Sequence, residues 1–303
     1  MKQKDLYLAL LVVIVWGANF TVIKLGLDGV PSMLLVAMRY SLVVFPAIFF
    51  IRKPDIEWKY IIYYGLAVGV GQFGCLFYAM EIGMPAGLAS IIVQLQAFIS
   101  PLLGTVVFKE NLNLKQIIGF IIAALGLAII GIASTSNGIS SIPIGALLLT
   151  ICAPIFWSIS NIIARYASDK ANEEGKELDM LGLVTWSSLI PPIPMIGFAL
   201  LIDTPSTLIN SITNLKFISI FSALYLAYVA TLFGYGFWNK LISKYPLSKI
   251  SPLSLLVPIT GLLTARIILS EQLSKMQWMG TFIILAGLMI SNLNIDKITN
   301  KSS

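Results

Sequence analysis

The stretch PAGLASIIVQLQAFISPLLGTVVFKENLNLKQIIGFIIAALGLAI, residues 85–129, has a counterpart at constant offset, PLSKISPLSLLVPITGLLTARIILSEQLSKMQWMGTFIILAGLMI, residues 246–290. In one ungapped register Pro85 meets Pro246, Ser90 meets Ser251, Glu110 meets Glu271 and Leu112 meets Leu273. The match runs on through Gln116/Gln277, Gly119/Gly280, Gly126/Gly287 and Leu127/Leu288. Both copies read E-x-L-x3-Q-x2-G-x6-G-L between apolar runs of membrane-spanning length. Self-similarity at a fixed offset marks a duplicated unit. The chain reads as a duplicated membrane module.

Composition points the same way. Apolar residues make up 57% of the 303, charged residues 11%, and mean hydropathy is +0.89. A soluble domain carries about a quarter charged residues. The chain has no histidine, which removes the commonest general base and metal ligand. Cys75 and Cys152 each fall inside an apolar run and read as reduced thiols that pack as small hydrophobes.

Working outward from the repeat, ten spans are expected, at about 6–26, 33–51, 60–80, 86–108, 115–133, 144–166, 180–202, 217–242, 247–270 and 276–294. Each approaches the roughly 20 residues that a bilayer core requires. Fifteen of the 20 Lys and Arg fall on the side of the N-terminus, where they also explain the net charge of +6. The opposite loops hold little beyond Lys216 and Lys275, while Lys24, Arg39 and Arg266 lie within spans. Positive charge collects on the cytoplasmic side, so both termini are expected there and no nucleic-acid partner is implied. The first span lacks a convincing cleavage site and is read as retained.

The expected fold is all-α and integral to the membrane, with ten transmembrane helices as two inverted-topology five-helix repeats. An odd number of spans per copy makes the second copy enter from the opposite side, with a site near the midplane between the copies. The first repeat is assigned to 1–133, an external connection to 134–143 and the second repeat to 144–294. The second contains a charged cytoplasmic linker at 168–179, and a cytoplasmic tail occupies 295–303. Inversion also puts Glu110 and Glu271 on opposite faces, so they read as helix-terminal caps rather than a catalytic pair. The Gly119/Gly126 and Gly280/Gly287 pairs, two turns apart, suit close helix packing.

Candidate pathway residues come from polar positions in the apolar spans. Trp16, Asn19 and Lys24 share a broad face of the first span, and Trp157, Ser160 and Asn161 one of the sixth. Asn19 and Asn161 lie deep enough to need partners, which either a neighbouring helix or a pathway would supply. The fourth span sets Ser90, Gln94, Ala97, Ser100 and Pro101 in one arc, from which Gln96 points away on ideal helical geometry. Its mate presents Ser251, Ser254, Pro258 and Gly261. Gln72 lies in the glycine-rich third span, and Tyr228, Thr231, Tyr235, Trp238 and Asn239 form a polar and aromatic stripe on the eighth. Such a stripe is a poor neighbour for lipid and is read as cavity lining.

Arg39 lies inside the second span, and intramembrane charge points to function by default. Two readings are open for it. Asp28 and Glu81, toward the same outer side, would give a structural ion pair; alternatively Arg39 would meet a substrate carboxylate.

VWGANFTVIKLG (15–26), MPAGLASIIVQLQAF (84–98), TWSSLIP (185–191), YLAYVATLFGYGFW (225–238) and PLSKISPLSLLVPITGL (246–262) resemble the EamA branch of the drug/metabolite transporter superfamily. More narrowly, they resemble its bacterial exporters of O-acetylserine and cysteine. The likeness spans nearly the whole chain apart from the linker and tail. It implies a ten-helix inverted-repeat fold, a central cavity and efflux across the cytoplasmic membrane, and it carries over no set of substrate residues.

The lining offers amides, hydroxyls and rings, which suits a small polar metabolite or zwitterion better than a polyanion. An intramembrane enzyme would need a nucleophile with its base, or metal ligands, and neither set is present. No enzyme activity, cofactor or metal is therefore expected. The partners are a small polar metabolite and the lipid bilayer, and a monomer is a plausible assembly. No carboxylate lies deep in any span, which leaves both facilitated efflux and proton antiport open.

Overall fold

In hydrocarbon every backbone N–H and C=O must bond within the protein, which leaves helices or closed barrels. The computed structural model describes residues 2–109, 114–135, 142–244, 253–254 and 256–292, and every regular element among them is helical. In chain order these are α1 (Gln3–Leu27), α2 (Ser32–Ala47), α3 (Trp58–Glu81), α4 (Ala86–Val107), α5 (Leu114–Thr135) and α6 (Ile144–Glu173). There follow α7 (Met180–Ile202), the short α8 (Pro205–Thr213), α9 (Phe217–Trp238, with helix continuing to Lys244), α10 (Leu256–Leu269) and α11 (Lys275–Asn292). Helices α1, α3, α4, α6, α7 and α9 are long and apolar enough to cross a membrane, and α2, α5, α10 and α11 are shorter apolar helices.

Local chemistry sets several ends. Asp179 caps α7 by accepting the Leu181 N–H at 3.0 Å, and Thr204 opens α8 by accepting the Thr207 N–H, with Pro205 in the first helical turn. The expected linker at 168–179 proves helical through Glu173, and glycine decides where α6 stops. Gly175 sits at φ +72°, and its N–H and that of Lys176 close back on Asn172 O and Ala171 O, both at 2.9 Å. That is the Schellman arrangement, and it favours a residue without a Cβ at the left-handed position. Beyond it the segment is tied down by charge. Lys176 meets Asp55 at 2.6 Å and Lys170 meets Glu57 at 2.6 Å. Lys170 and Lys59 hold the Glu57 carboxyl well below its usual range, to about 2.

The two copies do not form separate bundles; their helices interleave. α1 packs on α9 and α10, while α6 packs on α3 and α4; α2 pairs with α7, α4 with α10 and α5 with α11. Exchanging the copies turns α1 into α6, α3 into α9, α4 into α10, α2 into α7 and α5 into α11, and the pattern of pairs maps onto itself. Glycine lets the last pair approach backbone to backbone. A methyl group added to Gly126 would stand 2.6 Å from the Gly280 carbonyl oxygen, well inside van der Waals contact. Large apolar side chains such as Leu201, Phe217 and Val106 point outward, as suits a chain whose solvent is lipid. Cys75 and Cys152 are free, partly buried thiols.

Glu271 joins the copies at one end of the bundle. Its carboxylate accepts the Ala86 N–H at 2.7 Å and the Gly87 N–H at 3.0 Å, capping the first turn of α4 from outside that helix. At the same end Lys24 donates to the Met80 carbonyl, Glu81 takes both the amide and the hydroxyl of Ser32, and Lys216 pairs with Asp28. Glu110, Ser251 and the 295–303 tail lie outside the described residues, as do most of the 134–143 connection and the Asn239 side chain.

Candidate functional site

Two departures from α-helical winding shape the interior, and they fall in equivalent spans of the two copies. Leu66–Gln72 of α3 and Tyr225–Phe233 of α9 are both π-helical. The wider i→i−5 winding turns each residue through a smaller angle than an α-helix does, which re-aims the side chains that follow. Gln72 ends the first π segment, and Tyr235 and Trp238 follow the second. A third departure, the 3₁₀ turn Val93–Leu95, sits inside α4, carries Gln94 and ends just before Gln96.

These segments surround a cavity of about 310 Å³. Trp16 and Asn19 enter from α1, Gln72 from α3, Gln94 and Gln96 from α4, and Trp157 and Asn161 from α6. Tyr235 and Trp238 of α9, Ser254, and Val257 of α10 complete the lining, with Arg39 of α2. The site is therefore built at the junction of the copies. None of its lining residues carries a carboxylate.

Hydrogen bonds fix part of this wall and leave part unused. Asn161 Nδ2 donates to Gln96 Oε1 at 3.2 Å and to Ser100 Oγ at 3.1 Å, joining α6 to α4. Trp16 Nε1 donates to the Ala230 carbonyl at 2.9 Å, and its ring lies 5.5 Å from that of Tyr235 and 5.1 Å from that of Trp238. By contrast, Asn19 Oδ1 and Gln72 Oε1 are buried without a hydrogen-bond partner. Amide oxygens left so are costly in an apolar interior, and both residues line the cavity.

Comparison with known proteins bears on what such a cavity serves. The model of the EamA-like transporter family matches the chain twice, over residues 3–132 and 144–293. This chain belongs to the EamA-like transporter family. Among its relatives, a "Probable amino-acid metabolite efflux pump" of Salmonella typhimurium is 42% identical over 291 residues, covering 96% of this chain and 95% of the relative. An Escherichia coli protein of the same description is 41% identical with the same coverage. A solved crystal structure shares the fold, with a TM-score of 0.60 and 14% identity over 98% of this chain and 99% of that one.

Within this EamA-like transporter the residues expected at the site fall into three groups. Asn19, Gln72, Gln94, Trp157, Asn161, Tyr235, Trp238 and Ser254 lie around the one cavity, together with Arg39. Thr231 lies behind it, in an adjoining cleft that Arg39 and Tyr235 also border. Tyr228 is outside both; its hydroxyl donates to the Phe45 carbonyl at 2.8 Å, next to the bend that Pro46 makes in α2. The π segment explains the difference, because it turns Tyr228 off the face that α-helical spacing gives it with Tyr235.

Gln96 departs the other way. It lines the cavity, although ideal geometry points it away from Gln94, because the intervening 3₁₀ turn winds more tightly and rotates it inward. Tyr64 and Met180 are further lining residues that carry no sequence signal of their own.

Of the two readings open for Arg39, the ion pair finds no support at either carboxylate offered for it: Asp28 is engaged by Lys216, and Glu81 by Ser32. Arg39 is 2% exposed, and its Nη2 donates to Thr231 Oγ1 at 3.0 Å, whose own proton goes to Leu226 O. The Phe73 ring stacks on the guanidinium, 3.9 Å from its central carbon.

Proposed function

We propose that this chain is a secondary transporter that exports small polar amino-acid metabolites, of the cysteine and O-acetylserine type, across the bacterial cytoplasmic membrane by alternating access. The observation that carries this reading is one cavity at the junction of the copies, walled by amides, hydroxyls and rings. Its volume of about 310 Å³ lies at the small end of ligand sites, which run from about 300 to 1,000 Å³, and suits a metabolite rather than a drug-like molecule. The description of the two relatives as amino-acid metabolite efflux pumps supports the same class.

In the arrangement proposed, ten transmembrane helices form two inverted five-helix repeats with both termini in the cytoplasm. The cavity then extends toward the cytoplasmic ends of α6 and α9, through Ala164 and Trp238. The Lys24, Glu81 and Glu271 contacts close the outer end. This is a cytoplasm-facing state, ready to load. Release requires the outer contacts to part while the cytoplasmic ends of α4, α6, α9 and α10 converge, a rocking of one repeat against the other.

Counterflow tests this reading. Proteoliposomes loaded with unlabelled O-acetylserine or cysteine are expected to accumulate the labelled compound transiently and saturably. Accumulation no greater than in protein-free liposomes, with folded protein present, rejects the substrate class.

A further inference from the structure

Arg39 is a cation inside the membrane with most of its hydrogen-bonding capacity unspent. Among the described residues, only Nη2 of its guanidinium nitrogens has an acceptor, the Thr231 hydroxyl; Nε and Nη1 are buried and have none. A buried charge without a counter-ion is costly, and the stacked Phe73 ring offsets only part of that cost. Nη2 carries two N–H groups and Thr231 takes one, so one fork of the guanidinium, Nη2 with Nη1 or Nη2 with Nε, is still short of the acceptor pair that a carboxylate supplies. The group borders both the cavity and the cleft behind it, so the acceptor it lacks has a route to reach it.

The rest of the wall adds a second constraint. Among the described residues no Asp or Glu lines the cavity, so none of them matches the ammonium of an amino acid with a full negative charge. The Trp16, Tyr235 and Trp238 ring cluster lines the same cavity, and ring faces attract an ammonium more weakly than a paired full charge does.

We infer that Arg39 is the anchor for a substrate carboxylate, and that the carboxylate rather than the ammonium is the group a substrate must have. Nη2 keeps a second N–H besides the one given to Thr231, and with the nitrogen beside it, Nη1 or Nε, it makes the fork that donates to the two carboxylate oxygens, while Thr231 holds the guanidinium in plane. Nε and Nη1 are buried in this state, so a carboxylate reaches the fork only when neighbouring side chains shift. The substrate class is thus small monocarboxylates with a polar side group, including N-acylated amino acids, while amines and esters lacking the acid are refused. This deepens the transport reading above and rests on it for the word substrate, although the binding claim stands without transport.

The test is ligand-induced thermal stabilisation of the full chain in detergent, with counterflow of labelled O-acetylserine as a separate readout. Cysteine and N-acetylcysteine are expected to stabilise the protein and to compete in counterflow. Cysteine methyl ester and cysteamine should act at least about tenfold more weakly, the loss of one charged hydrogen-bond pair. Arg39→Gln is expected to erase the difference between acid and ester. Should that variant not fold, Thr231→Val keeps the charge but frees the guanidinium, and is expected to weaken acids several-fold without affecting esters.

Esters and amines binding as well as acids in the unaltered protein would overturn the inference while leaving transport intact. Acids retaining their advantage in folded Arg39→Gln would overturn it as well. Acid-selective stabilisation without any counterflow would support the anchor and reject the transport reading.

Discussion

Gly119 of α5 and Gly287 of α11 meet backbone to backbone, so that a methyl group on Gly119 would stand 2.6 Å from the Gly287 carbonyl oxygen. The relation recurs two turns away between Gly126 and Gly280, and the helices run antiparallel through both contacts. Gly119 corresponds to Gly280 and Gly126 to Gly287 in the repeat, so each contact is the image of the other when the copies are exchanged.

Filling that contact should separate α5 from α11. Gly126→Val adds a branched side chain where the facing carbonyl leaves no room, and overpacking of this kind costs about 1–3 kcal/mol. The expected outcome is a lower unfolding temperature in detergent and reduced membrane abundance. Wild-type stability would show that the helices need not approach so closely.

Glu271 offers a second structural test. It accepts two amide protons at the start of α4, and charged hydrogen bonds contribute about 1.5–3 kcal/mol each. Glu271→Ala should therefore lower thermal stability, and Glu271→Gln, which keeps one acceptor oxygen, should lower it less. Equal stability of all three proteins would remove the cap from the account.

The faces of α4 and α9 can be told apart by transport. Gln94→Ala and Tyr235→Ala alter the cavity wall and are expected to reduce export several-fold at unchanged membrane abundance. Tyr228→Phe, which only releases the Phe45 carbonyl, should export normally. The reverse pattern would put the pathway on the other face of α9.

Among the described residues no carboxylate lines the cavity, and the chain has no histidine, so the described lining offers no carboxylate or imidazole to carry a proton. An inward or outward pH gradient imposed on proteoliposomes should leave the initial efflux rate unchanged to within about twofold. A rate that follows the gradient would call for a proton carrier elsewhere in the chain.

Much of this was legible in the amino-acid order because the repeat and the apolar periods act over long windows. The eight-position match between 85–129 and 246–290 revealed the duplication, and spacing on ideal helices placed Asn19, Gln94, Asn161 and Trp238 among the candidates. What failed is local winding. The π segments and the 3₁₀ turn depend on how α3, α4 and α9 pack, and no residue type announces them. Tyr228 and Gln96 were misplaced for that single reason. The partner of Arg39 was also beyond reach, because Lys216 and Ser32 compete for Asp28 and Glu81 from segments distant in sequence. The end of α6, by contrast, is encoded by one residue, Gly175, although the charged composition around it reads as a linker.

The most direct measurement is substrate protection at the cavity itself. In a chain with Cys75 and Cys152 replaced by Ser, Ser254→Cys places a lone thiol on the wall, and its rate of modification by a polar maleimide can be followed. O-Acetylserine is expected to slow that modification in a saturable manner, while a lipid-facing control, Leu201→Cys, is unaffected. Equal rates at Ser254→Cys with and without O-acetylserine would contradict the claim that this cavity holds the exported metabolite.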